Sequence, residues 1–109
     1  MSALVYCPFP DRETAEHIGG LLLDEGLVAC INIGAPVQSM YLWEGERGSG
    51  EETPVLLKTD ARLLDRAMAR LEALHPYDTP AIVGWPCRAG AATGRWLGGL
   101  VEGGDDDGQ

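Results

Sequence analysis

Four extended apolar stretches alternate with two helical periodicities, in the order strand, helix, strand, strand, helix, strand. That order predicts an α+β fold of the ferredoxin-like, split βαβ (βαββαβ) kind. Right-handed crossovers then place the strands in spatial order 4-1-3-2 as an antiparallel sheet, with two helices on one face. A short C-terminal helix follows. Length agrees, since 109 residues supply one core and not two. The expected organisation is a single domain over residues 1–102 and a disordered acidic tail over residues 103–109. The third observation is the second strand, residues 29–45, which is longer than the sheet of so small a chain needs.

Residues 3–9 are a short apolar strand ended by Pro8 and Pro10. Asp11 is placed to cap the next helix, and Glu13 in its first turn favours the helix dipole. Ala15, Ile18 and Leu22 recur at helical spacing, Leu21 widens the stripe, and Gly26 is the left-handed residue that closes it. His17 lies off the stripe and reads as a surface residue.

The long strand is β-branched and aromatic at both ends, with Gly34-Ala35-Pro36 in the middle. It reads as one strand bent at that break. Its first part serves the chain's own sheet. Residues 37–43 are expected to pair or pack across a subunit boundary, with Met40, Tyr41 and Trp43 as anchors.

Residues 44–52 hold three glycines and five charges and read as a mobile hairpin loop. The returning strand is expected over residues 53–59. Asp60 then caps a second helix whose stripe is Leu64, Ala67, Met68, Leu71 and Leu74. Arg62, Arg66 and Arg70 follow one another at i+4 on its solvated face. His75-Pro76 ends the helix, because the residue before proline avoids the α region. Residues 77–80 form a compact loop and residues 81–87 a last strand, apolar on both faces. Thr93 is placed to cap a short helix over residues 94–101 that carries Trp96, Leu97 and Leu100.

Composition excludes several classes. The chain carries 17 acidic against 8 basic residues, a net charge of −9, and no basic patch. Nucleic acid and anionic membrane are therefore not expected partners. No signal peptide is read at the start, and no apolar run approaches the roughly 18 residues of a membrane span. Cys7, Cys30 and Cys87 are odd in number and far apart, which predicts reduced thiols and a cytoplasmic location. Cys30 and Cys87 read as structural.

Two consequences of the fold bear on function. The strands are apolar on both faces while two helices cover only one, so the open face calls for a closed homo-oligomer. The topology is also expected to gather Cys7, Trp43, Glu44, His75, Tyr77 and Asp78 at one end of the sheet. Cys7 and His75 are a donor pair suited to copper or zinc. Against that, Cys7 reads equally as a small buried hydrophobe and His75 as a helix-end residue satisfied by a carbonyl. A Cys/His nucleophile is disfavoured, since Pro8 removes the next backbone N–H and no oxyanion donors address Cys7. No enzymatic activity is expected.

The combination of residues 29–33 (ACINI), Tyr41-Leu42-Trp43-Glu44-Gly45, Lys58-Thr59 and residues 75–80 (HPYDTP) resembles the CutA family of divalent-cation tolerance proteins. The resemblance covers roughly residues 4–100. It implies a ferredoxin-like homotrimer related in architecture to PII signalling proteins. It also implies association with copper and other divalent cations and no established catalysis. In a bacterial member the ligands are a cysteine ending the first strand and two consecutive histidines before Pro-Tyr. Cys7 and His75 match two of those positions, and Leu74 stands at the third. Tyr41, Trp43, Glu44, Lys58 and Tyr77 are the residues assigned to an interface or cleft. A PII-like trimer that senses a small molecule or acts as a scaffold is the alternative reading.

Overall fold

The structure, a computed structural model, describes residues 1–102. The tail expected over residues 103–109 lies outside the described residues.

Strand β1 (Ser2–Phe9) leads into helix α1 (Arg12–Asp24). Asp11 caps α1 by accepting from the Thr14 N–H at 2.8 Å, and Gly26 takes the left-handed conformation that ends it (φ 70°). Strands β2 (Cys30–Ile33) and β3 (Val37–Trp43) both pair with β4 (Glu46–Asp60). A 3-10 turn (Ala61–Leu63) precedes α2 (Leu64–Leu74). β5 (Val83–Cys87) and α3 (Ala91–Glu102) complete the chain.

The sheet runs β2-β4-β1-β5, antiparallel throughout, which is the expected 4-1-3-2 order. Strand alternation sorts its two faces. Val5, Cys7, Phe9, Val55 and Leu57 point to one side and are buried with Ala15, Ile18 and Leu22 of α1 and Ala67 and Leu71 of α2. The close approach of α1 is set at Gly19, where an added Cβ would run into the Ile31 side chain. Leu4, Tyr6, Leu56, Lys58, Val83 and Trp85 point to the other side. Helix α3 covers only an end of that side. There Leu97 is buried, and Arg62 bridges Asp60 and Glu102 at 2.9 and 3.1 Å.

Several boundaries differ from expectation. Residues 44–52 are not a mobile loop. Glu44 and Gly45 both take positive φ (51° and 82°), the signature of a two-residue type I′ turn, and strand pairing resumes at once from Glu46. The returning strand therefore has 15 residues rather than the seven expected over 53–59. The second strand does not change partner at Gly34-Ala35-Pro36. It breaks there into β2 and β3, and both halves hydrogen-bond to β4 of their own chain.

The last strand starts at Val83, because Pro80 and the turn at Ile82 occupy the residues before it. Helix α3 begins at Ala91, with its first helical bond from the Gly94 N–H to the Gly90 carbonyl, so Thr93 lies inside it and does not cap it. Asp60 caps the 3-10 turn rather than α2 itself. Arg62 and Arg70 are ion-paired, Arg70 to Glu25 at 2.9 Å, rather than simply solvated. Cys30 is half-buried on the open face beside Asn32, not in the core.

At about 3.3 Å per residue a 15-residue strand spans about 50 Å. The long axis of the protein is 49 Å, against 25 and 23 Å for the others. β4 thus runs the length of the molecule, and its first half carries the β3–β4 hairpin beyond the helices.

Candidate functional site

The expected cluster splits in two. Cys7, His75 and Tyr77 do converge where β1 ends and α2 terminates. Trp43 and Glu44 sit at the hairpin tip, where Trp43 pairs with Glu46, six residues along β4 from Glu52. That is about 20 Å away along the strand. Lys58 lies toward the other end of the sheet, between Leu4 and Cys30, on the open face.

The convergence is built on the Pro8 carbonyl. Proline continues β1 without a donor, but its carbonyl remains free to accept. It takes the His75 Nε2–H at 2.9 Å and the weak thiol donor of Cys7 at 3.4 Å. His75 leaves the helical conformation at the end of α2 (ψ 140°), as a residue before proline must. Its ring lies buried between Phe9, stacked at 4.7 Å and 28°, and Tyr77 at 4.7 Å and 56°. Nδ1 accepts the Tyr77 backbone N–H at 3.2 Å. The Tyr77 hydroxyl donates to Glu52 at 3.0 Å. Burial, reinforced by the Glu52 carboxylate, pushes the Cys7 thiol up to about 12. Burial and the bond to Glu52 push Tyr77 up to about 12 as well.

Glu52 and the Pro8 carbonyl escape a reading of the sequence. No motif marks Glu52, and it is the β1–β4 register, with Thr53 opposite Phe9, that carries it to Tyr77.

These residues do not fit a metal within one chain. The buried, protonated Cys7 thiol donates to the Pro8 carbonyl at 3.4 Å. Both His75 ring nitrogens are engaged, one as donor and one as acceptor. Leu74 is partly buried against the core, where it offers no donor. Among the described residues no group of three or more His, Cys, Asp or Glu side chains converges. The same protonated thiol is a poor nucleophile.

The second locus is the hairpin. Tyr41, Trp43, Glu44, Glu46, Arg47 and Gly48 line a shallow, open groove of about 420 Å³. Large apolar residues stand on both its faces: Val37, Tyr41 and Trp43 on one, Met40 and Leu42 on the other, the last two each more than 70% exposed. On the open face of the main sheet Tyr6, Val83 and Trp85 are also exposed.

A ferredoxin-like sheet with a long apolar hairpin carried past its helices defines a class of small α+β proteins with unusually large exposed apolar surface. The comparisons narrow the class. The family described as CutA1 divalent ion tolerance protein matches residues 3–98. The chain is 38% identical over 88 residues to a CutA homolog from Danio rerio, covering 81% of this chain and 57% of that one. It is 41% identical over 80 residues to the divalent-cation tolerance protein CutA of Pyrococcus horikoshii, covering 73% and 78%. Among solved structures, CutA1 from Ehrlichia chaffeensis superposes with a TM-score of 0.84 at 35% identity, covering 91% of this chain and 94% of that one. The periplasmic divalent cation tolerance protein CutA from Archaeoglobus fulgidus superposes at 0.85 with 31% identity, covering 93% and 99%. The chain belongs to the CutA1 divalent ion tolerance family. It spans 57% and 50% of the length of the Danio rerio and Oryza sativa relatives. No helix among the described residues is long and apolar enough to cross a membrane.

Proposed function

We propose that this chain works as a homotrimeric divalent-cation tolerance protein without enzymatic activity. The observation that carries the assembly is the apolar surface left uncovered: Tyr6, Val83 and Trp85 on the open sheet face, and Met40, Tyr41, Leu42 and Trp43 on the hairpin. A soluble monomer rarely exposes so much contiguous apolar area, and cyclic closure is the economical way to cover it. The hairpin is paired within its own chain, so it meets a neighbour by packing its side chains rather than by exchanging strands. Two apolar faces on one ribbon suit a wedge between two neighbours. Three copies in a ring give every hairpin such a place. Tyr41 and Trp43 are the anchors of this contact, Glu44 its tip, and Lys58 belongs to the face turned toward the other copies.

The names of the relatives support a role in divalent-cation tolerance; copper is a candidate on the residue resemblance alone. The net charge of −9 concentrates divalent cations near the surface. Three unpaired thiols support a reducing, cytoplasmic setting.

Charge placed on the apolar surface tests the reading. Trp85→Glu on the sheet face and Met40→Glu on the hairpin are each expected to lower the sedimentation coefficient from that of an assembly to that of one chain, with far-UV circular dichroism retained. Unchanged sedimentation in both variants would overturn it.

A further inference from the structure

The Cys7–His75–Tyr77 cluster joins three parts of the chain that are far apart in sequence. Phe9 and the Pro8 carbonyl belong to β1, His75 and Tyr77 follow α2, and Glu52 lies where β4 passes from the main sheet into the hairpin. Glu52 faces Val37, the first pair of the β3–β4 ladder, and the next residue, Thr53, pairs with Phe9. A continuous path therefore runs from the core to the root of the hairpin. It passes from Phe9 stacked on His75, to His75 accepting from the Tyr77 backbone, to the Tyr77 hydroxyl donating to Glu52. A ring nitrogen that accepts an N–H carries no proton, so His75 is fixed as the Nε2–H tautomer, and that hydrogen goes to Pro8. Every polar atom of the imidazole is used in the path.

We propose that Phe9, His75, Tyr77 and Glu52 form a latch that holds the β3–β4 hairpin on the core, and that His75 serves this latch rather than a metal ion. The latch is a property of one chain. Its effect on assembly rests on the reading of the hairpin as the subunit contact. The geometry also explains why the loop after α2 is compact: the His75 ring holds its first residues against β1 and the Tyr77 hydroxyl holds the hairpin root.

The test is amide hydrogen exchange on the full chain. Tyr77→Phe removes the hydroxyl and keeps the ring. Exchange is expected to rise about three- to tenfold in Val37–Trp43 and in the facing half of β4, as the loss of one solvent-exposed hydrogen bond implies. Exchange in α1 and α2 stays as in the parent. Glu52→Gln, which keeps an acceptor carbonyl, recovers part of the protection that Glu52→Ala loses. Unchanged hairpin exchange in Tyr77→Phe, or an equal rise across the helices, overturns the latch. Sedimentation of the parent and of Tyr77→Phe, run on the same samples, reads the subunit number separately, so failure of the latch and failure of the trimer are distinguishable.

A second arm addresses the metal without touching the cluster. A Cys30→Ser/Cys87→Ser variant leaves Cys7 as the only thiol and is titrated with Co²⁺. The expected result is no thiolate-to-cobalt charge-transfer absorption. Such a band, abolished by Cys7→Ala, overturns the assignment.

Discussion

At the scale of single residues the structure turns chemically capable groups into fastenings. Cys7 shows this most directly. Burial, and then the Glu52 charge, raise its thiol to about 12, which disfavours the reactive thiolate at neutral pH. Iodoacetamide at pH 7 is therefore expected to spare Cys7 in the native protein and to modify it once the chain is unfolded in urea. Labelling of native Cys7 as fast as in urea would contradict its placement. Asp60 is the opposite case. Hydrogen bonds from Arg62, at 2.8 Å from its N–H and 2.9 and 3.1 Å from its guanidinium, hold the carboxyl at about 2 against an ordinary 3.8. A depressed carboxylate contributes stability that is fully present above the unfolded value and lost as pH falls through the folded one. The melting temperature is thus expected to fall between about pH 4 and pH 2, and Asp60→Asn to flatten that limb and lower stability at pH 6. Parallel pH profiles for the two proteins would refute this. Neither environment is legible in the sequence. Asp60 announces itself as a cap, but its second bond depends on Arg62 folding back, and Cys7 looks the same whether buried or ligating.

At the scale of elements, the helices were legible and the length of the hairpin was not. Ala15, Ile18 and Leu22, and then Ala67 and Leu71, repeat at helical spacing and are buried as that spacing requires. The hairpin has no comparable signal. Its turn is Glu44-Gly45, and Glu is not the Asn or Asp that usually marks a type I′ turn. Gly48 and Gly50 look like loop residues, yet they lie in register opposite Tyr41 and Ser39. Gly48 is there because the Tyr41 ring lies across it: an added Cβ would clash with Tyr41 Cζ at 2.7 Å and Oη at 2.8 Å. Gly50 has open space around the same position. Gly48→Ala is expected to cost up to about 1 kcal/mol by turning the half-exposed Tyr41 ring out of its place. Gly50→Ala is expected to be neutral or to stabilise by up to about 1 kcal/mol. Urea denaturation of the two variants distinguishes them, and equal effects would show that Tyr41 does not lie on Gly48. Glycine in this ribbon is thus a packing choice, which composition alone cannot separate from flexibility.

At the scale of the whole molecule the sequence revealed the strand order and the excess of apolar surface, because both follow from pattern: alternation in Leu4 to Phe9, Val55 to Thr59 and Val83 to Cys87, and connections of known hand. It did not reveal where the long strand goes. The break at Gly34-Ala35-Pro36 suggests a change of partner, but a 15-residue β4 serves both halves. The result is a 49 Å molecule whose protruding ribbon is apolar on both faces, a shape with little purpose in an isolated chain. Trp43, at the tip and half exposed, is where a neighbour gains most. Trp43→Ala is expected to raise the concentration at which the assembly dissociates by about tenfold or more while leaving the circular dichroism of the chain unchanged. The most direct test of the central claim is the native mass of the unmodified protein at micromolar concentration, by light scattering or native mass spectrometry. The account predicts three times the 11.7 kDa of one chain. A mass of one chain, stable on concentration, would contradict it.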